Sequence, residues 1–489
     1  MTTSMTTNIS TSRLVLTAIA AGLLLAGCGA VGPDYQRPAF DTPATLTTAA
    51  NISKSVAAAE WLSWWKSFQD PVLNSLLDEA VAHNQDLVLA AGRVEEARAT
   101  ATAANSSRYP TVDANLVATK SRTSQNSGKI PAGSPLIAKD YQASLSASYE
   151  LDFWGKLSRA DEAARARLLS QEANRGIVIS SLYSNLAQSY FALRAYDAQV
   201  ALADSALKTR QENLRLQQKR FSAGSIGELD LHQAEAEAAA TEITLAQAKQ
   251  ALANTESAIA VLLGRSPAAI ANPDIPRGNS IDRIYQQLSV PADLPSDLLN
   301  RRPDIIAAEQ TLVAANADIG QAKAQYFPSL KLTTTYGDES KVFQDLFNPA
   351  SLLWNLGANL AQPIFRAGAI GAVVSGAEAR KTQALAQYVQ SVQGAFRDVH
   401  DALINTSANE QMYAAGNRRV VALKDSLRLA ELRYKNGYSG YLDVLSAQRD
   451  LLQAESGLID TKRAHLAAVV SIYKAVGGGW DKPQSPATK

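Results

Sequence analysis

The chain has 489 residues, 47 basic and 46 acidic, for a formal charge of +1, with four histidines and one cysteine. That length exceeds one compact core and predicts about two to four units. The balanced charge offers no general field for nucleic acid or acidic partners, while His83, His232, His400, His465 and Cys28 are too few and too scattered for a metal centre. No glycine-rich phosphate loop or nucleophile motif is present, so the chain reads as a non-enzyme without metal or soluble cofactor.

From the N-terminus, Arg13 precedes an apolar run from Leu14 to Leu25. This is the length of a signal-peptide core and too short to span a bilayer. It ends in Leu25-Ala26-Gly27-Cys28, which resembles the bacterial lipobox, whose small residues admit the processing peptidase and whose cysteine takes a lipid. Residues 1–27 read as a signal peptide and 28–70 as a lipidated N-terminal segment, carrying a diacylglyceryl group and an N-acyl chain on Cys28. Gly29 rather than aspartate follows, which by analogy favours the outer membrane over inner-membrane retention. The cluster Trp61, Trp64 and Trp65 reads as an anchor on a helical body, with a membrane interface as the alternative.

An internal repeat organises the rest. Residues 86–110 align without gaps on 304–328, matching Asp86 with Asp304 and Tyr109-Pro110 with Phe327-Pro328. Further on, "RFSAGSIGELDL" (220–231) matches "RYKNGYSGYLDV" (433–444), pairing Gly224 with Gly437, Gly227 with Gly440 and Asp230 with Asp443. The offset changes between Ser121 and Lys139, as a longer first-half loop would produce. The predicted plan is a first repeat over 71–266, a Pro-rich linker over 267–295, a second repeat over 296–476 and a tail over 477–489.

Each repeat reads in one order. A helix ends near the aromatic-proline step, because the residue before proline is pushed out of the helical region. Strand patterns follow, about 111–122 and 140–151 in the first repeat and about 329–337 and 352–362 in the second. Residues 141–151 alternate almost perfectly, with Tyr141, Ala143, Leu145, Ala147, Tyr149 and Leu151 on one face and small polar residues on the other. A transmembrane β-barrel requires such strands, and a soluble antiparallel sheet with one wet face gives the same alternation. Long helices come next, about 156–221 and 228–263, then 368–435 and 441–476. The first has no proline and would extend roughly 100 Å. Apolar residues recur every seventh position through Ile179, Leu186, Leu193, Val200, Leu207, Leu214 and Phe221. That is the period of underwound helices packed in a left-handed sense.

Four strands cannot close a barrel, and an open sheet edge is intolerable in lipid. If these strands are in a membrane, several chains share one barrel: two would supply eight strands and three would supply twelve. The sequence does not choose between them.

The chain resembles the TolC/OprM outer-membrane efflux family, in its lipoprotein subgroup. The resemblance rests on "CGAVGPDYQRP" (28–38), "WWKSFQDPVLNSLLDEAVAHNQDL" (64–87), the aromatic-proline steps and the twin turns with their Gly-x5-Asp spacing, and it covers essentially the whole mature chain. It implies a mainly α fold with a membrane β-barrel: a homotrimer with a twelve-stranded β-barrel, a periplasmic α-barrel of twelve helices and an equatorial belt that includes the linker. It also implies function, as the passive outer-membrane exit duct of a tripartite multidrug efflux system. The implied partners are a periplasmic adaptor, a proton-driven inner-membrane pump of the resistance-nodulation-division type and outer-membrane lipid, with no nucleic acid.

The resemblance places a periplasmic gate at the helical turns. Asp443 matches an acidic ring position with Asp230 as its first-half twin, Leu442 a hydrophobic constriction and Arg449 a basic gate position. Ser446 stands where the family branches carry aspartate, which shifts the closure toward Asp443 and apolar packing. Gly224, Gly227, Gly437 and Gly440 form the tip turns, near which adaptors dock in this family. Two other readings share the sequence: a related duct for type I protein secretion, and a coiled-coil envelope lipoprotein without a pore.

Overall fold

The computed structural model describes residues 29–41, 61–127, 135–288 and 298–481. The signal peptide and Cys28 lie outside the described residues. The long elements run α1 (Pro71–His83), α2 (Gln85–Ser106), β1 (Thr111–Arg122), β2 (Ile137–Leu151), α3 (Lys156–Ser222) and α4 (Glu228–Leu262). They are followed by α5 (Pro303–Ala324), β3 (Ser329–Ser340), β4 (Leu352–Ala361), α6 (Ala369–Lys435) and α7 (Tyr441–Ala475). The duplication is visible in their lengths: α2 and α5 have 22 residues each, α3 and α6 have 67, and α4 and α7 have 35. Between the repeats, the Pro-rich stretch carries short helices at Pro267–Ala271 and Ile281–Gln286. No helix among the described residues is long and apolar enough to cross a membrane.

Helix ends follow local chemistry. Asp70 caps α1, accepting from the Val72 amide at 2.9 Å. Pro71 takes the first helical position, where its missing N–H costs nothing. The Asp152 carboxylate opens α3 by accepting from the amides of Leu157 (3.0 Å) and Ser158 (2.7 Å). Helices α2 and α5 end at Ser106 and Ala324, slightly before the aromatic-proline steps, because a tight last turn intervenes. Tyr109 N–H donates to Ser106 O at 3.0 Å and Phe327 N–H to Ala324 O at 3.1 Å.

The chain divides into two units. The first contains the sheet, the parts of the helices that adjoin it within 95–170 and 308–388, and the N-terminal residues to 39. Its strands lie in the order β1-β2-β3-β4, every neighbour antiparallel. Residues 29–39 strap onto this unit. Val31 N–H donates to Trp154 O at 2.9 Å, Arg159 pairs with Asp34 at 2.7 Å, Asn316 donates to Pro33 O at 2.7 Å, and Arg37 pairs with Glu309 at 3.0 Å. The stretch "GPDYQRP" thus holds a shape through side-chain contacts that no periodicity encodes.

The second unit contains residues 40–94, 171–307 and 389–489 and the larger apolar core. Trp61, Trp64, Trp65 and Phe68 are buried there. Trp64 stacks on Tyr473 at 5.3 Å, Trp65 packs on Tyr183 at 4.3 Å and Phe68 on Phe191 at 4.8 Å. The tryptophans are therefore a structural anchor and not a membrane interface, each buried side chain contributing about 1.5–3 kcal/mol. Gly176, the lone glycine within α3, sits where the Trp480 indole approaches so closely that a Cβ would lie 2.4 Å from its nitrogen.

Candidate duct wall and gate

In the first unit the strand register sorts side chains by polarity. Ala114, Leu145, Tyr336 and Trp354 form one cross-strand row, Val112, Ala147, Thr334 and Leu356 the next, and Leu151, Leu330 and Leu360 lie beyond. Because side chains alternate across a strand, the residues between them fall on the other face: Asp113, Ser146, Thr335 and Asn355, then Glu150, Lys331 and Asn359. Apart from Phe343, whose ring lies 5.5 Å from Tyr141, the apolar face has little cover among the described residues, with Leu116 84% exposed, Leu356 74% and Trp354 72%. A soluble sheet buries its apolar face against a core, whereas here the polar face and the apolar face are both open. The outer edges of β1 and β4 carry no partner strand within the sheet, a state that lipid does not tolerate and that closure removes.

In the second unit α3 and α4 meet at one turn and α6 and α7 at its twin. Gly224 (φ 71°) and Gly437 (φ 76°) take the left-handed conformation that a side chain disfavours. Both close the same motif. Gly224 N–H donates to Phe221 O at 2.9 Å and Ser225 N–H to Arg220 O at 2.9 Å, while Gly437 N–H donates to Tyr434 O at 3.0 Å and Tyr438 N–H to Arg433 O at 2.9 Å. Gly227 and Gly440 play a different part. They are extended N-caps of α4 and α7 with ordinary negative φ.

Asp230 and Asp443 lie in the first turns of α4 and α7, where the helix dipole stabilises a carboxylate. Asp443 is exposed, as is Leu442, and Asp230 and Ser446 are half-buried. Arg449 reaches back to Glu237 of α4 at 3.7 Å, so this pair ties the two hairpins together. Around them is a network of side chains from α3, α6 and α7. Arg210 of α3 is buried and donates to Gln448 Oε1 of α7. Burial pushes the Arg210 guanidinium below its ordinary value, and the Glu237 carboxylate opposes that shift. The Tyr434 hydroxyl accepts from Arg220 at 2.8 Å and from Gln217 at 3.3 Å, and its ring lies 5.5 Å from Tyr441. Tyr441, Val444, Leu445 and Ala234 close an apolar cluster beneath. The sequence does carry a signal for this network. Ala203, Arg210 and Gln217 repeat every seventh residue and are all buried, so polar side chains occupy a helix-packing line near the turn.

Set beside known proteins, both stretches of the duplication, residues 76–265 and 294–478, match the family model described as outer membrane efflux protein. The chain belongs to the outer membrane efflux protein family. It is 34% identical over 463 residues to the cation efflux system protein CusC of Escherichia coli O6:H1, covering 94% of this chain and 97% of that one. It is 36% identical over 475 residues to the solvent efflux pump outer membrane protein SrpC of Pseudomonas putida, covering 95% and 98%. Among solved structures, the Campylobacter jejuni CmeC outer membrane channel superposes with a TM-score of 0.86 at 26% identity, covering 94% of this chain and 96% of that one. The protein is an outer-membrane efflux channel, in a family of ducts and not of enzymes.

Proposed function

We propose that three copies close their sheets into one twelve-stranded barrel and that the helical hairpins continue it as a periplasmic tube of twelve helices. The assembly is the passive exit duct of a tripartite system, docked to a periplasmic adaptor and to a proton-driven inner-membrane pump of the resistance-nodulation-division type. The observation that carries this reading is the four-stranded sheet with one apolar face, one polar face and two open edges. Cys28 anchors the chain through its lipids. Asp443, Asp230, Leu442, Arg449 and Ser446 line or lock the entrance, and the turns at Gly224, Gly227, Gly437 and Gly440 present the tips to the adaptor.

The cargo is small toxic compounds. CusC is named for cations and SrpC for solvents, and the chain is similar to both over nearly its full length. Deletion of the gene followed by a susceptibility panel of antibiotics, solvents, dyes and metal salts tests the reading. Increased sensitivity to at least one class, restored by the wild-type chain, is the expected result, and an unchanged profile would overturn it. Purified trimers in planar bilayers supply a second test, with Asp443→Ala raising the open fraction over wild type.

A further inference from the structure

The duplication supplies an internal comparison for the end of the sheet that lies away from the helices. Each first strand starts directly after its aromatic-proline step, so Thr111 corresponds to Ser329, Lys120 to Asp338 and Arg122 to Ser340. The cross-strand pairs agree, since Lys120 faces Lys139 in the first hairpin and Asp338 faces Leu352 in the second. At equivalent positions the first repeat thus carries Lys120, Arg122 and Lys139 where the second carries Asp338, Ser340 and Leu352. Both hairpins form the same ladder, so the strands themselves do not require the cations.

These cations stand on the face where charge is least expected. Lys120, Arg122 and Lys139 share the parity of Leu116, Ala118, Tyr141 and Leu145, which places them on the apolar face of the sheet. All three are exposed, and none has an ion-pair partner among the described residues. Lys120 and Lys139 are directly opposed, with Cβ atoms about 4.5–5.5 Å apart, an arrangement that repels unless an anion neutralises it. Asp140 and Glu339 fall on the other face, and Asp338 shares this one but lies opposite Ala143, two rows nearer the helices.

Depth gives the anion its source. Strand β2 carries Tyr149 and Lys139 on one face. At about 3.4 Å per residue and a tilt of about 40°, their separation is roughly 26 Å along the membrane normal, close to the apolar band about 25 Å tall of an outer-membrane barrel. Lys139 and Lys120 then stand at headgroup level on the side away from the periplasmic helices, which is the outer leaflet. The Tyr141 and Phe343 rings, 5.5 Å apart, mark the same level as an aromatic girdle does. Toward the membrane centre, Ala118, Leu116, Ala143 and Leu145 form a bare apolar strip, with Leu116 84% and Leu145 55% exposed.

We infer that Lys120, Arg122 and Lys139 of each copy bind the phosphates of the anionic glycolipid of the outer leaflet, lipopolysaccharide, with its acyl chains laid along Leu116, Ala118, Ala143 and Leu145. A phosphate neutralises the opposed lysines, and Arg122 adds a planar fork that matches phosphate oxygens. Because the second hairpin lacks the cations, each chain carries one such site and a three-chain barrel carries three. The site rests on the barrel reading above for its membrane and deepens it by naming the lipid.

Titration with labelled lipid A, the phosphorylated anchor of that glycolipid, tests the site in the full chain purified from outer membranes in mild detergent. Combining Lys120→Gln, Arg122→Gln and Lys139→Gln should weaken binding at least tenfold, since each basic side chain at an anionic lipid surface is worth roughly fivefold. Lys120→Arg with Lys139→Arg keeps the charge and should bind like wild type, whereas lipid A stripped of its phosphates should bind the wild-type chain at least tenfold more weakly. Lys139→Gln alone, with a loss of roughly fivefold, stands in if the triple variant does not reach the membrane. Equally tight binding of phosphatidylglycerol micelles overturns the glycolipid assignment in favour of any anionic headgroup. Displacement of lipid A by inorganic phosphate alone overturns it in favour of the free ion. Equal affinity of the charge-removed variant and wild type, with the susceptibility profile intact, overturns the site while leaving the duct reading standing. Lipid A binding that depends on the three cations, without any efflux phenotype on deletion, supports the site and removes the duct reading instead.

Discussion

At the scale of single residues, the four tip glycines separate into two chemical roles that their sequence spacing makes look alike. Gly437 sits at φ 76° with no neighbour within 4 Å of where a Cβ would stand, so only its conformation demands glycine. Gly440 caps α7 at φ −77°, which any residue adopts. Gly437→Ala should destabilise by about 1–2 kcal/mol, the left-handed penalty for an L-residue, and Gly440→Ser should be neutral or slightly stabilising because serine adds an N-cap acceptor. Thermal melting of the purified protein followed by circular dichroism separates the two. His465 offers a second test at this scale. It is buried with its Nδ1 3.0 Å from the Tyr285 hydroxyl, and Nε2 has no partner among the described residues. Burial lowers its pKa, with the Glu410 carboxylate opposing. A histidine depressed in the fold holds its stabilising contribution above its unfolded value of about 6.5 and loses it as pH falls through the folded one. Melting temperature should therefore drop on acidification below about pH 6.5, and His465→Gln should flatten that part of the profile.

Among the elements, the seam between α3 and α7 carries a buried cation without a carboxylate in direct contact. Arg210 donates to Gln448, and its Nε has no acceptor among the described residues. Removing Gln448 takes away this acceptor and leaves only the field of the Glu237 carboxylate, so Gln448→Leu should cost about 1.5–3 kcal/mol. Replacing both residues by leucine removes the buried charge along with its partner, and the double variant should recover most of that loss. Chemical denaturation of the two singles and the double completes the cycle. The second repeat already carries the apolar solution at the corresponding position, Leu423. The long helices were legible because proline is absent and apolar residues recur every seventh position. The turns were legible because two glycines and an aspartate recur in each. The Arg210, Gln217, Gln448 and Tyr434 network was not, because its members come from three helices and only their meeting gives them meaning. The helices at Pro267–Ala271 and Ile281–Gln286 were also missed, since each is a turn or so held by a serine cap and too short to show a period. The proposed gate positions came from family resemblance, and the chain's own contacts add that Arg449 pairs across the hairpins with Glu237.

For the whole molecule, the question is which solvent each face of the sheet meets. Alternation alone left a soluble sheet and a membrane barrel open. The register separates them, since the apolar rows run across all four strands and, apart from Phe343 beside Tyr141, little among the described residues covers them. The N-terminal strap was the opposite case, recognised by its motif but with contacts to Trp154, Arg159, Asn316 and Glu309 that depend on tertiary placement. Neighbouring residues of β2 provide a direct test of the faces. Leu145 lies in the apolar row with Tyr336, and Ser144 lies in the polar row opposite Gly337. Leu145→Arg would place a charge against lipid at a cost of about 2–4 kcal/mol near the bilayer midplane in each copy. Asn115 and Ser144 share a polar face, and in the proposed barrel Ser144→Arg would meet water in the interior. Leu145→Arg should accordingly reduce the assembled, heat-dissociable form in outer-membrane preparations at least tenfold, while Ser144→Arg assembles normally and shifts the ion selectivity of the channel toward anions. Equal assembly of both variants would mean that the apolar face does not meet lipid. A selective loss with Ser144→Arg instead would mean that the sheet closes with its polar face outward, which the barrel reading does not survive.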